Sequence, residues 1–525
     1  MQVELLYFKM GRIHEQYSRP PASHLSLTMR RNILSLAPLA LVILFGLLAV
    51  PALAADRPNI VWIFAEDMND WMGCYGDDTV PTPNIDALAN NGVRFNRAYM
   101  PAGVCSATRS AIALGAMQTS LGVHNHRSSR QRYPGEEIRL PKEVKTVYQT
   151  LRAGGYHVIN YGPKSDFNFL WASQNEKELK KRNGTSAIPA ASESDLLYDV
   201  NVLPWAPSND LLPGLLAACP DDKPVFLQLQ LRGGKNNGKF SGFPQGKTSA
   251  EDVEVVPYYA DLPSVRNEIA HHYDCIRQTD EEVGQIVKTL KEHGFDKNTI
   301  VFFFTDHGMK LPRHKQWLYE GSIRVPLVIA GPGIPVGTTR DDLVSGIDIT
   351  AATLALAGIN QPKYMEAKDF FADDYKRDYV ISARDRCDYT IERVRAVTGQ
   401  RFKYLRNFKT DRPFMQPQYR DGEAFMKDLK AYYKAGKMNE IESFIMSETR
   451  VPEELYDLEN DPHEIHNLAN DPAYREQLEK CRGILNAWIE QTGDQGQYDE
   501  SVESLKGVLQ QWSKQAVNPE YDKAR

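Results

Sequence analysis

Two of the most apolar segments of this 525-residue chain lead directly into polar pairs. Residues 59–65 form an uninterrupted β-branched and aromatic run before Glu-Asp at 66–67, and residues 299–304 lead to Asp-His at 306–307. Short apolar runs of this kind are typical of strands that are buried on both faces. In an open parallel sheet, the carboxyl ends of the strands form one edge, where ligands bind. The two segments therefore predict a parallel sheet with a charged site at one edge.

Strand-like and helix-like segments alternate along the chain up to residue 374. We predict further strands at residues 93–99, 156–161, 225–231 and 327–330, and helices at residues 83–92, 110–117, 144–153 and 266–293. Alternation of this kind is typical of sheets covered by helices on both faces. Residues 55–374 are therefore predicted to form an α/β catalytic domain with a large, mostly parallel sheet sandwiched between helices.

The sequence pattern changes after residue 374. Short alternating segments predict antiparallel strands at residues 379–383, 393–398 and 401–406. Charged segments with helical spacing predict helices at residues 421–446 and 473–492. Residues 375–525 are therefore predicted to form a smaller C-terminal α+β subdomain.

The N-terminal region has the features of an export signal. Arg30 and Arg31 precede an apolar run at residues 34–50, and small residues at 52–54 provide a cleavage site. We predict a signal peptide at residues 29–54, cleaved after Ala54, and a periplasmic or secreted protein without stable membrane insertion. The alternative is an uncleaved membrane anchor. Residues 1–28 are expected to be an extension from a misassigned start codon.

Composition excludes some other classes of protein. The formal net charge of −6 does not favour a nucleic-acid binder, because phosphate binding requires clustered Lys and Arg in excess. The six cysteines lack paired short spacings, so neither a zinc ribbon nor a dense disulfide framework is predicted. One or two disulfides could still form in an exported chain.

The polar groups at the predicted sheet edge suggest a metal and an anionic substrate. Either acidic pair alone could be a helix cap or a solvated turn, but two pairs at two strand ends favour a hard divalent cation. Cys105 alone would be typical of a small buried residue. Arg109 lies four residues later, at the start of a predicted helix, where a guanidinium and free backbone amides suit an anion.

Several motifs occur in the order found in one enzyme family. They are NIVWIFAED (59–67), GCYG (73–76), TPNIDAL (82–88), CSATR (105–109), TDHG (305–308), HKQWLYEG (314–321), RVP (324–326) and ELYDLENDPHE (454–464). Over residues 57–495 the chain resembles the type I sulfatases of the alkaline phosphatase superfamily, and it looks closest to bacterial members similar to heparan N-sulfatases. The resemblance implies an alkaline-phosphatase-like fold and the hydrolysis of sulfate esters or N-sulfates.

The resemblance also implies a nucleophile and a metal. In the family, a separate formylglycine-generating enzyme oxidises the motif cysteine, here Cys105, to formylglycine. Arg109 would orient this group, and Lys164 and Lys315 would bind the oxygens of a sulfated carbohydrate substrate. The implied ligands of Ca²⁺ are Glu66, Asp67, Asp306 and His307.

Some positions depart from the family pattern. Ala107 stands where the cysteine motif usually has Pro, and Asp166 replaces a family histidine. A second family histidine, expected after the strand at 225–231, has no counterpart near Gly234-Lys235. The residues that could fill these roles are His126 and His124, ranked above His314 because they follow the nucleophile helix. The candidate substrate-binding residues are His314, Asp166 and Arg313.

Two other functions fit the same residues. A phosphonate or phosphodiester hydrolase of the same superfamily could use the same metal, lysines and formylglycine. A non-catalytic binder of sulfated glycans could keep the site without oxidation of Cys105. The favoured prediction is an exported sulfatase that acts on a carbohydrate.

Overall fold

A nine-stranded sheet forms the centre of the protein. The computed structural model describes residues 57–127, 133, 135–162, 165–180, 186–203, 211–236, 243 and 246–525, so the expected extension and signal peptide at 1–54 lie outside the described residues. No helix within the described part combines the length and the apolar character that a membrane span requires.

Among the described residues, eleven strands precede residue 346. They are β1 (Asn59–Ala65), β2 (Gly92–Tyr99), β3 (His157–Tyr161), β4 (Trp171–Ser173), β5 (Ala187–Pro189), β6 (Val200–Val202), β7 (Val225–Leu231), β8 (Thr299–Thr305), β9 (Arg324–Ala330), β10 (Thr338–Arg340) and β11 (Val344–Ser345). The large sheet has the order β10-β2-β9-β8-β1-β7-β3-β6, with β11 also beside β2, while β4 and β5 form a separate pair. Within the large sheet, β9 runs antiparallel to both its neighbours, and the other described pairings are parallel.

Helices cover both faces of this sheet. They are α1 (Pro83–Asn90), α2 (Cys105–Leu114), α3 (Val147–Ala153), α4 (Glu176–Leu179), α5 (Leu212–Ala217), α6 (Pro263–Glu292), α7 (Glu320–Ile323) and α8 (Asp348–Leu356). Side chains of α1, α5 and α6 pack into one buried cluster, and those of α2, α3 and α8 pack into another. The predicted sandwich of helices around a mostly parallel sheet is confirmed.

The central strands are apolar on both faces because each face meets a helix layer. On β1, Trp62 lies in one core and Ile63 lies in the other. The Trp62 ring meets the Phe226 ring edge-on at a centroid distance of 5.0 Å and the Phe304 ring at 5.5 Å. Such edge-to-face contacts favour close packing of neighbouring strands.

A second sheet follows the large one in the chain. Its strands β12 (Tyr379–Arg384), β13 (Val394–Gly399), β14 (Phe402–Asn407) and β15 (Glu453–Asp457) are antiparallel and lie in that order. The later helices are α9 (Ala424–Lys434), α10 (Glu440–Ser443), α11 (Arg475–Thr492) and α12 (Val502–Trp512). The antiparallel C-terminal sheet is thus confirmed, whereas the domain boundary at residue 375 stays a prediction.

Three local expectations differ from the structure. The single helix predicted at residues 421–446 is divided into α9 and α10, because Gly436 has a φ of 67° that ends helical geometry. Helix α2 begins at Cys105 itself and not after it. The six cysteines are all among the described residues and none is in a disulfide, so the one or two disulfides considered possible do not form in this structure.

Strand register determines where the polar groups meet. Ala65 of β1 pairs with Thr305 of β8 on one side and with Leu231 of β7 on the other. The residues that follow these three strands therefore emerge side by side. After β7, Gly234 donates a hydrogen bond from its backbone N–H to the Glu66 carbonyl oxygen at 2.8 Å.

The close approach at Gly234 provides a test of this arrangement. A Cβ at this position would lie 2.1 Å from the Asp67 carbonyl oxygen. We expect Gly234→Ala to lower the free energy of unfolding by about 1–3 kcal/mol, because the backbone must shift to relieve the clash. Gly483→Ala in α11 is the control: nothing lies within 4 Å of the added Cβ, and we expect no loss of stability. Urea denaturation of both variants measures the difference, and equal stability would contradict the described turn.

Candidate active site

Four buried polar side chains lie at the ends of β1 and β8. Glu66 and Asp67 are each 3 % exposed, and Asp306 and His307 are fully buried. The Asp67 backbone N–H donates to Asp306 Oδ1 at 2.9 Å, which joins the two strand ends. Asp67 has a φ of 51°, in the left-handed region that non-glycine residues adopt uncommonly. The backbone is thus held in the conformation that directs both carboxylates to one place.

Asp67, Asp306 and His307 form a compact set of potential metal ligands. One ligand atom from each lies within 4.8 Å of the others. His307 Nδ1 is 2.9 Å from the Gly308 carbonyl oxygen, and since a carbonyl only accepts hydrogen bonds, Nδ1 carries the proton. The other ring nitrogen, Nε2, lies 3.5 Å from Asp67 Oδ1.

These residues fit a hard divalent cation. Asp67 Oδ1 and His307 Nε2 are buried, and within the described part of the chain neither makes a hydrogen bond. Buried polar atoms that make no hydrogen bond are costly, and a cation between them would satisfy both. The donor set is mainly carboxylate oxygen, which suits Ca²⁺ or Mg²⁺. Glu66, on the same strand end, would add a further oxygen ligand.

Three positively charged side chains contact the carboxylates. The Arg109 guanidinium lies 3.3 Å from Glu66 Oε1 and 3.3 Å from Asp306 Oδ2. Lys315 Nζ donates to Asp67 Oδ2 at 2.6 Å. Lys235 Nζ lies 2.5 Å from Glu66 Oε2 and 3.3 Å from Asp67 Oδ1. Positive groups therefore face the edge of the sheet, where they could bind an anion.

The charges determine the ionisation of Asp67. Burial raises the pKa of this carboxyl, but Lys235, Lys315 and His307 outweigh burial and hold the pKa well below its usual range. Burial lowers the pKa of the Lys315 ammonium, and Asp67 outweighs that effect and raises it. The carboxylate and the ammonium are thus both charged at neutral pH.

Cys105 lies beside this cluster, at the first residue of α2. Its Sγ atom is 3.8 Å from His126 Nε2. His126 Nδ1 is in turn 3.0 Å from Asp388 Oδ1. Asp166, which has a φ of 61°, offers a carboxylate oxygen within 4.8 Å of the Cys105 sulfur and a His126 ring nitrogen. The structure thus brings together the predicted nucleophile, one predicted histidine and Asp166.

Other predicted residues lie elsewhere or outside the described part. Lys164 is not among the described residues. His124 faces Asp385 and Arg395, and burial lowers its pKa. The two ring nitrogens of His314 are 3.1 Å from Asn69 Oδ1 and 3.0 Å from the Tyr258 hydroxyl.

Arg313 is also enclosed by other residues. Its guanidinium packs over the rings of Tyr258 and Tyr319 and donates to the carbonyl oxygens of His463 and Glu464. The side chain is 2 % exposed. The contacts given above for Arg313 and His314 are thus with Asn69, with aromatic rings and with the C-terminal segment, and none of them is with Cys105 or the carboxylates.

Sequence analysis missed two contributors. Lys235 lies where the family pattern predicts a histidine, and the sequence alone assigned it no role. In the structure, its ammonium group contacts Glu66 and Asp67. Its position directly after the predicted buried strand β7, which borders β1, could have indicated that it lies at the same edge of the sheet. Asp388 follows β12 in the second sheet, and no motif or spacing in the sequence linked it to His126.

The arrangement predicts that Ca²⁺ stabilises the protein through Asp306. We expect Ca²⁺ to raise the melting temperature, and Asp306→Asn to weaken Ca²⁺ binding by about tenfold or more, because one negative charge is lost near the cation. Asp296→Asn, at an exposed position, is the control and should bind Ca²⁺ normally. Isothermal titration calorimetry measures the affinities. Unchanged binding by Asp306→Asn would exclude this carboxylate as a ligand.

Comparisons with known proteins identify related sequences. A family model described as Sulfatase matches residues 58–359. A second model, described as N-sulphoglucosamine sulphohydrolase, C-terminal, matches residues 308–449. The two matches overlap, and together they include the carboxylate edge, Cys105 and the second sheet as far as β14.

Individual relatives extend over most of the chain. An ulvan-active sulfatase from Formosa agariphila is 29% identical over 84% of this chain and 76% of its own length. Human N-sulphoglucosamine sulphohydrolase is 24% identical over 86% of this chain and 93% of its own. The solved structure of a 2-O GAG sulfatase superposes with a TM-score of 0.59 at 19% identity, covering 85% of this chain and 94% of that one. At that identity the structural likeness shows the fold alone.

Proposed function

Because the chain belongs to the sulfatase family and is a sulfuric ester hydrolase, we propose that it removes sulfate from a carbohydrate outside the cytoplasm. The bond broken is a sulfate ester or an N-sulfate. The proposed nucleophile derives from Cys105 by oxidation to formylglycine, and the proposed cofactor is Ca²⁺. Both relatives named above are sulfatases of carbohydrates by name, which supports this substrate class.

One observation carries the proposal: the same cations act on both Cys105 and the carboxylates. Arg109, Lys235 and Lys315 each interact electrostatically with Cys105 as well as with at least one of the acidic side chains. A sulfate group held at residue 105 would therefore face three positive groups. Fixed positive groups of this kind stabilise the charge that develops on sulfate oxygens in the transition state.

The nucleophile occupies the first turn of a helix. Formylglycine, in its hydrated form, supplies one hydroxyl to attack sulfur and a second to expel sulfate afterwards. The backbone amides in the first turn of α2 and the Arg109 guanidinium favour negative charge at residue 105. Lys315, together with Lys164 by resemblance to the family, would bind the sulfate oxygens. The positive groups thereby orient the substrate against the nucleophile.

The carboxylates and His307 would hold the metal. Bound Ca²⁺ would polarise the sulfate oxygens and lower the pKa of a nearby hydroxyl. Asp67 and Asp306 present oxygen atoms to it, Glu66 adds a third carboxylate, and His307 offers Nε2. Arg109 remains beside Glu66 and Asp306 and fixes their orientation.

His126 is the proposed acid-base residue. Its Nε2 atom faces the side chain of residue 105 across 3.8 Å. In this family, a histidine is expected at the position that Asp166 occupies. Since Asp166 and His126 converge on Cys105, an imidazole is still present next to the nucleophile. We assign proton transfer at residue 105 to His126 in preference to His124 or His314, whose described contacts lie elsewhere.

Maturation and export belong to the same proposal. The signal-like segment at residues 29–54 would direct the chain to the periplasm or the exterior. A formylglycine-generating enzyme would act on the CSATR motif at residues 105–109. Ala107, in place of the usual Pro, is buried and packs in a small apolar cluster with Cys387. A small side chain at position 107 thus suits the folded protein.

Substrate preference tests the proposal directly. For matured protein, we expect kcat/KM for an aryl sulfate to exceed that for the matching aryl phosphate by about 100-fold, equivalent to about 2.7 kcal/mol in transition-state binding. Cys105→Ala should abolish turnover, and Cys219→Ala, at a half-buried position remote from the motif, should keep it. A preference for phosphate would support the phosphonate or phosphodiester hydrolase. Binding of sulfated glycans without turnover, by native-host protein in which Cys105 stays unmodified, would support the non-catalytic binder.

A further inference from the structure

Two loops from different parts of the chain are joined beside Cys105. One follows α2 and carries Asn125 and His126, and the other follows β12 and carries Arg386. The His126 backbone N–H donates to the Arg386 carbonyl oxygen at 2.9 Å. The Arg386 backbone N–H donates to Asn125 Oδ1 at 3.0 Å, and the Arg386 guanidinium donates to the His126 carbonyl oxygen at 3.3 Å. The second loop therefore has a fixed position relative to the histidine.

This connection places a carboxylate on the far side of the imidazole. Asp388 Oδ1 is 3.0 Å from His126 Nδ1, while His126 Nε2 is 3.8 Å from Cys105 Sγ. Asp388 is 6 % exposed and His126 is 4 % exposed. Asp388 also has a φ of 51°, and its carbonyl oxygen accepts a hydrogen bond from Arg386 at 2.7 Å. Residues held in such uncommon backbone conformations cluster at functional sites.

We propose that Asp388, from the second sheet, is a positioning residue for His126 in the hydrolysis of sulfate esters. Asp388 accepts a hydrogen bond from Nδ1–H, which fixes the tautomer and the ring orientation so that Nε2 faces residue 105. This inference rests on the proposed function, because it assigns a role to His126 in that reaction.

The proton transfer has a defined path. As the hydroxyl oxygen of residue 105 attacks sulfur, a new O–S bond forms and the bond between sulfur and the carbohydrate oxygen breaks. The hydroxyl proton passes to His126 Nε2, and Nδ1 keeps its own proton in the hydrogen bond to Asp388. The departing carbohydrate oxygen takes a proton from water, and the proton that the ring releases afterwards restores that water. The positive ring that forms is stabilised by the adjacent carboxylate, as in other carboxylate–histidine pairs that act on a nucleophile. The ring later releases the proton to water, so Asp388 remains ionised throughout.

The groups around His126 support this assignment. Cys105 faces the ring from α2, Asp166 from the loop after β3, and Asp388 and Cys387 from the loop after β12. The neighbouring Arg127 interacts electrostatically with both Asp166 and Asp388. Burial lowers the pKa of His126, but Asp388 outweighs burial and raises that pKa well above its usual range.

Asp388 titrates far from neutrality. Burial raises the pKa of Asp388, but His126 has the opposite and larger effect, and the pKa is lowered to about 2. The carboxylate therefore stays charged across the pH range in which the histidine gains and loses its proton. Within this range, the pH dependence of the reaction then follows the protonation of His126.

Asp388→Asn tests the inference. Asn keeps the shape of the side chain and tolerates positive φ, but it removes the charge. Since the neutral ring accepts the proton, activity rises with pH through the pKa of His126. Loss of Asp388 lowers that pKa, so we expect the acidic limb of the kcat profile to move to lower pH by about one to three units. The plateau of kcat should fall by about 10- to 100-fold, with KM changed less than about threefold.

Three controls separate positioning from loss of structure. In a His126→Gln background, Asp388→Asn should change kcat by less than about twofold, because the two residues act as a unit. Asp457→Asn removes another buried carboxylate, one paired with Arg401 in the second sheet, and should leave the acidic limb in place. Nuclear magnetic resonance titration of His126 measures its pKa without any turnover.

Two results would overturn the inference. One is an acidic limb and a His126 pKa that Asp388→Asn leaves unmoved. The other is an equal loss of kcat in the wild-type and His126→Gln backgrounds, which would mean a purely structural role. Failure of the proposed function would look different: matured wild-type protein would not hydrolyse aryl sulfates, yet the His126 titration would still respond to Asp388→Asn.

Discussion

Neutralisation of buried charge at the carboxyl edge of the large sheet is the constraint on which the site depends. Strand register brings the ends of β1, β7 and β8 together, so Glu66, Asp67 and Asp306 occupy one small region. Carboxylates at that depth are tolerated only with partners. Arg109 and the lysines after β7 and β8 supply them, and a divalent cation would complete the set. The positive groups that neutralise the buried carboxylates are therefore also the groups that suit a sulfate anion.

Much of this could be predicted from the sequence because local patterns were unambiguous. The continuous apolar runs of β1, β7 and β8 identified buried strands, and the polar pairs after β1 and β8 identified the edge of the sheet. The motif around Cys105 and Arg109, through its resemblance to the family, indicated the proposed nucleophile and a cation beside it. Strands β12, β13 and β14 were also predicted, since they alternate in short segments. These features depend on residues that are close together in the chain, so a single sequence displays them.

Other features depend on contacts between distant segments and leave no local pattern. Lys235 reaches the carboxylates because β7 borders β1 in the sheet. The order of strands in a sheet cannot be predicted from local sequence patterns. Asp388 meets His126 through two loops separated by more than 250 residues. The break between α9 and α10 at Gly436 was missed because one glycine within a helical pattern is often tolerated. Arg313 and His314 lie beside a motif lysine, yet their contacts with Tyr258 direct them elsewhere.

The nucleophile is the central element of this interpretation, and mass spectrometry of Cys105 tests it most directly. Trypsin releases residues 98–109 as one peptide, because Arg97 and Arg109 flank it. In active protein purified from its native host, we expect this peptide to be lighter than the cysteine form by about 18 Da, the change for conversion of the thiol-bearing carbon to an aldehyde. An active protein whose peptide retains unmodified cysteine would contradict the assignment of Cys105 as the precursor of the nucleophile.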